Sequence, residues 1–107
     1  MAESTIDGVI HALNDSSRRK ILTVLRQAPY CVGDLVEVIG LTQSGVSQHL
    51  RILERAQLVH STKDGQRRIY RLEPQGFQVL DAWLEEYRAF WTGALDHLEQ
   101  VMEEHRG

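Results

Sequence analysis

One stretch of the chain, residues 41–53 with the sequence LTQSGVSQHLRIL, combines an apolar stripe with a face rich in hydrogen-bonding groups. Val46, Leu50 and Leu53 are spaced four and three residues apart, which predicts the buried face of a helix. A solvated helix normally carries both charges, but the rest of this circumference carries no acid. That face is typical of a contact surface for a polar, anionic partner, and it comprises Ser44, Ser47, Gln48 and Arg51.

The charges of the chain are distributed unevenly. The formal net charge is −3, yet residues 42–71 hold six basic side chains against two acidic ones, and residues 72–107 hold two against eight. The basic centre coincides with the polar face, and a local charged patch governs attraction to a polyanion more than the total does. The pattern favours nucleic acid as a partner, and the alternative is chance clustering on a solvated surface.

Residues with catalytic potential do not form a recognisable set. The sequence has no Ser/His/Asp order, no phosphate-cradling glycine loop and no pair of carboxylates expected to be buried. The acidic residues of the last third fall on the outer face of an amphipathic segment, where they serve solubility and partner choice. We therefore predict neither an enzymatic activity nor a cofactor.

Two helices are predicted before the polar face. Apolar spacing indicates a first helix over residues 5–13. A second helix begins with either Asp15 or Ser16 as its capping residue, and Pro29 marks its end.

The polar face itself belongs to a predicted helix-turn-helix unit. A helix over residues 32–40 ends at Gly40, which suits a left-handed C-terminal residue, and Thr42 is the expected N-cap of the next helix. Residues 32–56 therefore have the spacing of a helix, a glycine-bearing turn and a second helix.

A β-hairpin is predicted over residues 57–72. Alternating runs flank Asp64 and Gly65, and this dipeptide supplies the positive φ angles that a two-residue hairpin turn prefers. A two-stranded ribbon is marginal in water, so it must pack on the helices, with Tyr70 or Leu72 as the anchor.

The C-terminal part, residues 74–105, is predicted to form one long helix that also pairs with a second chain. Its apolar residues alternate steps of three and four for more than three heptads, which is typical of a helix paired with another helix. We predict that this seam forms a dimer interface made of Phe77, Leu80, Leu84, Tyr87, Trp91, Leu98 and Val101.

The length of 107 residues predicts a single domain, residues 1–107, that is mainly α-helical with a small β-hairpin. No run approaches the roughly 20 apolar residues of a membrane span, and the N-terminal segment carries acids rather than a basic leader. We expect a cytoplasmic protein with no membrane partner. The one cysteine, Cys31, cannot form an internal disulfide.

The segments ALNDSSRRKILTVL, VGDLVEVIGLTQSGVSQHLRILERAQLV and KDGQRRIYRL resemble the bacterial ArsR-type (arsenic-repressor-like) transcriptional regulators. The tail is similar to that of members whose last helix is long and tryptophan-bearing. The resemblance implies a winged helix-turn-helix, with residues 57–72 as the wing and residues 74–105 as the dimerisation helix. It also implies a homodimer that places the helix at residues 42–56 in the major groove of a palindromic operator and represses until an effector acts.

This resemblance implies which residues contact double-stranded DNA. Arg51 offers a forked donor to guanine, and glutamine offers a paired donor and acceptor to adenine. The hydroxyls of Ser44 and Ser47 suit phosphate, and His49 is either a buried spacer or a phosphate contact. Cations of the wing supply affinity rather than sequence choice. The expected set is Thr42, Gln43, Ser44, Ser47, Gln48, His49, Arg51, Lys63, Arg67 and Arg68.

The metal sites of the family do not match this sequence. Many members carry two cysteines, two residues apart, before the recognition helix, whereas Cys31 is followed by Gly33 at that place. A second family site needs an Asp-x-His pair on the last helix, but Asp96 and His97 are adjacent and His105 lies eight residues further on. We therefore expect no metal, and the effector remains unknown.

Three alternatives remain open on the sequence alone. Arg18, Arg19 and Lys20 form a second basic cluster, which we interpret as an ordinary exposed face, with a phosphate contact by Arg18 as the lesser reading. The chain could also be a dimeric protein-interaction adaptor on the same fold. A third reading is a repressor released by a small organic ligand at the C-terminal helix, held between Trp83, Phe90 and Trp91.

Overall fold

The computed structural model describes residues 5–106, so the two ends of the predicted domain, residues 1–4 and 107, lie outside the described part. Five helices and three strands make a mainly helical chain with a small antiparallel sheet, which confirms the predicted fold class. In chain order they are α1 (Ile6–Leu13), α2 (Ser16–Gln27), β1 (Tyr30–Cys31), α3 (Val32–Ile39), α4 (Gln43–Arg55), β2 (Val59–Asp64), β3 (Arg67–Leu72) and α5 (Pro74–Glu104).

The helix ends lie where the local chemistry placed them. The Asp15 carboxylate accepts hydrogen bonds from the amides of Ser17 and Arg18, which satisfies free donors at the start of α2. These bonds, first of all the one from the Arg18 amide, hold the pKa of Asp15 below its ordinary value. Gly40 ends α3 in the left-handed region at φ 80°, and Thr42 caps α4, as predicted.

The sheet has three strands rather than the predicted two. Strand β1 pairs antiparallel with β3, with Tyr30 opposite Tyr70 and Cys31 opposite Ile69, so the order is β1-β3-β2. A strand of two residues is too short to show an alternation of apolar and polar side chains, and its partner strand lies about forty residues away in sequence. The sequence pattern therefore did not predict this strand.

The hairpin turn is displaced by one residue from its predicted position. Asp64 pairs with Arg67, so the two turn residues are Gly65 and Gln66 rather than Asp64 and Gly65. Gly65 has φ 66° and Gln66 does not have a positive φ. A positive φ at the first turn residue alone is typical of a type II′ turn, in which only that residue needs to be glycine.

The core lies between the helices and the inner face of the sheet. Val46, Leu50 and Leu53 are at most 1% exposed, which confirms the predicted buried stripe of α4. Tyr70 and Leu72 both pack against this core, so each anchors the wing. The buried apolar residues are Val9, Ala12, Ile21, Leu22, Leu25, Leu35, Val46, Leu50, Leu53, Ala56, Leu58 and Val59.

A tight joint connects the end of α4 with the start of α5. Gln57 has φ 58°, and the amides of Gln57 and Leu58 donate to the carbonyls of Glu54 and Leu53, which is the Schellman arrangement with glutamine in place of glycine. The Gly76 amide then donates to the Gln57 carbonyl at 2.8 Å. A Cβ on Gly76 would lie 2.5 Å from the Ala56 carbonyl oxygen, so only glycine allows this approach.

Helix α5 packs on its own chain only near its beginning. Phe77, Val79 and Leu80 contact the core, whereas nearly every residue beyond Leu84 is exposed. The projecting helix gives the molecule extents of 65 × 30 × 21 Å. Within residues 5–106, no helix combines the length and the hydropathy needed to cross a lipid bilayer.

Candidate nucleic-acid interface

Helix α4 presents the polar face predicted from the sequence. Gln43, Ser44, Gln48 and Arg51 are exposed, and Ser47 is half-buried beside them. Because Val46, Leu50 and Leu53 hold the opposite side in the core, this face is fixed toward solvent. Donors and acceptors are therefore presented on a rigid element, as base-edge recognition requires.

The N-terminus of α4 is arranged for an anion. Its first turn contains no acidic residue, so the positive end of the helix dipole is not neutralised within the chain. The Thr42 hydroxyl accepts from the Gly45 amide at 3.1 Å and lies 3.4 Å from the Ser44 hydroxyl. Thr42 thus has a capping function in addition to its predicted contact with DNA.

Arg18 does not lie on an exposed face, and the prediction for it was wrong. The residue is only 7% exposed, and its Nε and Nη2 donate to the carbonyls of Ala12 and His11 at 2.7 and 3.0 Å. These carbonyls lie at the negative, C-terminal end of the α1 dipole, where the Asn14 amide also donates to the His11 carbonyl, so they attract a buried cation. Arg19 and Lys20 are exposed, as predicted, and Arg19 donates from Nη1 to the Leu13 carbonyl at 2.7 Å.

The third donor group of Arg18 reaches α4. Its Nη1 lies 3.3 Å from Nδ1 of His49, and 3.9 Å from the Asp15 carboxylate. His49 is half-buried, which places it between the two predicted alternatives of spacer and phosphate contact. Its link to Arg18 was missed because the two residues are 31 positions apart and no spacing rule joins them.

The wing arginines are held by their own chain. Arg67 donates from Nη2 to the Cys31 thiol at 3.1 Å and lies 3.6 Å from the Asp34 carboxylate. The contact with Cys31, followed by the charge of Asp34, raises the pKa of Arg67, so this residue stays cationic. These contacts connect β3 to the start of α3.

Arg68 is linked to Glu54 of α4 through the Ser61 hydroxyl. Its Nη1 donates to the Ser61 hydroxyl at 3.0 Å, and this hydroxyl donates to the Glu54 carboxylate at 3.3 Å. Partial burial, and then the negative charge of Glu54, raise the pKa of the neighbouring Tyr70. Lys63 differs from both arginines, since it has no ion pair or side-chain hydrogen bond within the described residues.

The surroundings of Cys31 do not fit the cysteine-based metal site that many arsR-type regulators carry at this place. The cation of Arg67 occupies the space next to the thiol, and Gly33 brings no ligand. A tetrahedral thiolate site needs further soft or imidazole donors. Within residues 5–106, no three His, Cys, Asp or Glu side chains are grouped closely enough to hold a metal ion.

The distal half of α5, residues 83–102, carries an exposed apolar stripe. Phe90 is 78% exposed, and the Trp83 and Tyr87 rings pack with centroids 5.1 Å apart. Arg88 pairs with Asp81 and Glu85 on the charged side of the helix. Of the predicted interface residues, Tyr87, Trp91 and Leu98 are exposed, whereas Phe77, Leu80, Leu84 and Val101 are half-buried.

This fold occurs in known proteins. Residues 15–61 match the family described as bacterial regulatory protein, arsR family. The HTH-type transcriptional regulator Rv2034 of Mycobacterium tuberculosis is 37% identical over 97 residues, which cover 91% of this chain and 88% of that protein. The transcriptional repressor SdpR of Bacillus subtilis is 30% identical over 79 residues, which cover 74% of this chain and 88% of that protein.

A solved structure has the same architecture. The ArsR-like transcriptional regulator from Rhodococcus sp. RHA1 superposes with a TM-score of 0.74 at 28% identity, covering 92% of this chain and 91% of that one. Sequence and structure therefore agree on the resemblance inferred from the motifs. The chain belongs to the bacterial arsR family of DNA-binding transcription regulators, and it is not an enzyme.

Proposed function

We propose that this protein is a homodimeric repressor that binds a palindromic operator, with α4 in the major groove and the wing on the flanking backbone. The observation that carries this proposal is the outward face of α4, which is exposed, rigid and free of acid over its first two turns. Such a face carries no carboxylate that would repel phosphate, and it offers paired donors to base edges.

Each predicted contact has a chemical reason on this face. Arg51 is the residue for guanine, because its fork matches the O6 and N7 acceptors. Gln43 and Gln48 suit adenine, and the Ser44 and Ser47 hydroxyls suit phosphate at the helix N-terminus.

The wing supplies affinity that does not depend on sequence. Lys63 is exposed and lacks an internal partner within the described chain, so it is the wing cation most available to phosphate. Arg67 and Arg68 reach the backbone while exchanging part of their contacts with Cys31, Asp34 and Ser61.

The second copy binds along α5. An apolar stripe that extends over residues 83–102 is much longer than the isolated apolar side chains of ordinary monomer surfaces, and its heptad spacing matches another helix. Pairing of two such helices would place two copies of α4 on one duplex, about 34 Å apart if they enter successive turns of the major groove.

Repression follows from this placement, because a dimer bound over a promoter excludes polymerase, and one of the similar proteins is named a transcriptional repressor. An effector that changes the dimer would release the operator. We place the protein in the cytoplasm because operator DNA is located there in bacteria.

The test is selection of binding sites from a random duplex pool, followed by titration of the selected duplex between about 50 and 200 mM salt. The proposal expects a two-fold symmetric site and an affinity that falls steeply with salt. Arg26→Ala on the exposed side of α2 is the control for loss of one charge. A protein that enriches no duplex and binds none at low salt contradicts the proposal and favours the adaptor.

A further inference from the structure

Arg18 is the one charged residue that is buried among residues 5–106. A buried cation is stable only when its donors are satisfied, and two of the three guanidinium nitrogens are accounted for by the carbonyls that end α1. The remaining nitrogen, Nη1, lies 3.3 Å from Nδ1 of His49 on α4 and 3.9 Å from the Asp15 carboxylate. The contact therefore joins the α1–α2 corner to the element that is proposed to read DNA.

This contact selects one form of the His49 ring. A guanidinium group has only donors, so Nδ1 must contribute its lone pair and cannot carry a proton while the contact exists. The neutral ring then carries its proton on Nε2, the nitrogen on the far edge from Arg18. His49 is thereby supplied with an oriented donor.

The position of His49 on α4 indicates what this donor meets. With about 100° of rotation per residue, His49 lies roughly 100° from Gln48 and roughly 160° from Arg51, on the side of α4 next to the α1–α2 corner. Gln48 and Arg51 lie near the middle, where base edges would be. A donor on the flank of a helix in the major groove faces one of the two phosphate backbones that border it.

We infer that Arg18 is a positioning residue for DNA binding: it fixes the imidazole of His49 so that Nε2–H donates to a backbone phosphate. The inference rests on the proposed function of α4 and adds to it a specific contact and the buried residue that orients it. Since a neutral donor releases no counterion, this contact adds affinity without adding to the salt dependence.

Two substitutions of His49 test the functions of its two ring nitrogens separately. In His49→Asn the side-chain oxygen can still accept from Arg18, but no donor remains at the position of Nε2. In His49→Gln the amide nitrogen occupies nearly that position. We expect His49→Asn to lower the affinity for the selected duplex and for a scrambled duplex alike, by about fivefold to tenfold, with an unchanged salt slope, and His49→Gln to recover part of the loss.

Arg18→Lys tests the positioning step. Lysine keeps the charge but cannot reach both carbonyls and His49, so this variant should lose about as much affinity as His49→Asn. The affinity of the double variant should be no lower than that of the single variant that binds more weakly, because the effect of Arg18 passes through His49. In long-range 15N spectra, Nδ1 of His49 should appear unprotonated in the wild type and lose this preference in Arg18→Lys.

His11→Asn is the matched control, because the His11 side chain forms no hydrogen bond with Arg18 in the described part of the chain, whereas its carbonyl accepts one. Unfolding curves show which variants are folded, and His49→Asn remains decisive if Arg18→Lys unfolds. Wild-type affinity in His49→Asn, or losses that multiply in the double variant, would overturn the inference while the proposed function stands. If the wild-type protein itself binds no duplex, the proposed function fails and this inference fails with it.

Discussion

Helices α4 and α5 are both amphipathic, yet the chain uses their faces in opposite ways. In α4 the apolar side is buried in the core and the polar side is presented to solvent, whereas in the distal half of α5 the apolar side is exposed. The apolar stripe of α4 is buried within its own chain, so only its polar face is available to a partner. The apolar stripe of residues 83–102 is not buried within the chain, so the two helices indicate two different kinds of partner.

The comparison also shows which kind of exposure is informative. An exposed polar helix face is normal on a protein surface, and α4 stands out only because its first turn lacks acid. An exposed apolar stripe is informative by its size alone. Substitutions in the exposed face of either helix, in the joint between α4 and α5, or in the wing test this comparison, and the largest expected effect comes first.

Leu98→Glu removes the partner of α5. A carboxylate within the stripe cannot be buried against a second helix, so we expect a monomer at micromolar concentration. Loss of the second α4 should lower the affinity for the selected duplex by at least about 100-fold. Sedimentation and anisotropy titrations measure the two effects. Gln100→Glu adds the same charge on the polar side and should change neither property; a dimeric Leu98→Glu would contradict the assigned interface.

Gly76→Ala breaks the joint between the two helices. The added Cβ would meet the carbonyl oxygen of Ala56 at 2.5 Å, so the backbone must move, and we expect a loss of about 3 kcal/mol in the free energy of unfolding. Denaturant unfolding at fixed protein concentration measures it. Gly93→Ala, in open space on the same helix, should instead stabilise by about 0.5–1 kcal/mol. Equal effects of the two variants would refute the argument from close approach.

Arg51→Ala breaks the reading face of α4 alone. The variant should lose about 2 kcal/mol of binding free energy on the selected duplex and much less on one with the contacted guanine replaced. Dimerisation should be unchanged, since Arg51 belongs to the outward face of α4 and not to the α5 stripe. Competition titrations with single-base variants provide the measurement, and a uniform loss on all duplexes would reassign Arg51 to the backbone.

Arg67→Gln and Arg68→Gln test the wing. Each should weaken binding to every duplex by about threefold and reduce the salt slope by about one, because phosphate contacts carry no sequence information. Lys63→Gln should show the same slope change without any effect on thermal stability, since it has no internal partner within the described chain. A sequence-dependent loss in any of the three would place that residue in a groove.

Gln57→Gly should have a small effect, comparable in free energy to that of the wing variants. Glutamine at φ 58° is strained, and glycine relieves this strain at some entropic cost, which leaves a gain of about 0.5–1 kcal/mol in stability. Gln57→Ala keeps the Cβ and should bring no gain. If both variants behave like the wild type in denaturant unfolding, the left-handed residue carries no strain.

Elements with a clear apolar periodicity or a local capping residue could be predicted from the sequence. Elements that form only through contacts with residues distant in sequence could not. The stripe of Val46, Leu50 and Leu53 fixed the face of α4, and Thr42 and Gly40 fixed neighbouring helix ends. The strand at Tyr30 and Cys31 exists only because β3 lies beside it. The hairpin was displaced by one residue because Asp-Gly fits two different turn types.

The same division applies to the candidate site. The exposed residues of α4 follow from one helix and its periodicity, so Gln48 and Arg51 could be named in advance. Arg18 could not, since its burial depends on carbonyls of α1 and on His49 across the fold. Polar networks that join several elements leave no local pattern in a sequence.

The length of α5 beyond the joint at Gly76 makes it a lever. A helix of 31 residues extends about 45 Å, so a rotation of 5° at its base displaces its tip by about 4 Å. In a dimer joined along the distal half, small angular changes near Gln57 and Gly76 would be amplified into changes in the distance between the two copies of α4. The protein could thereby leave its operator without any alteration of the side chains that read it.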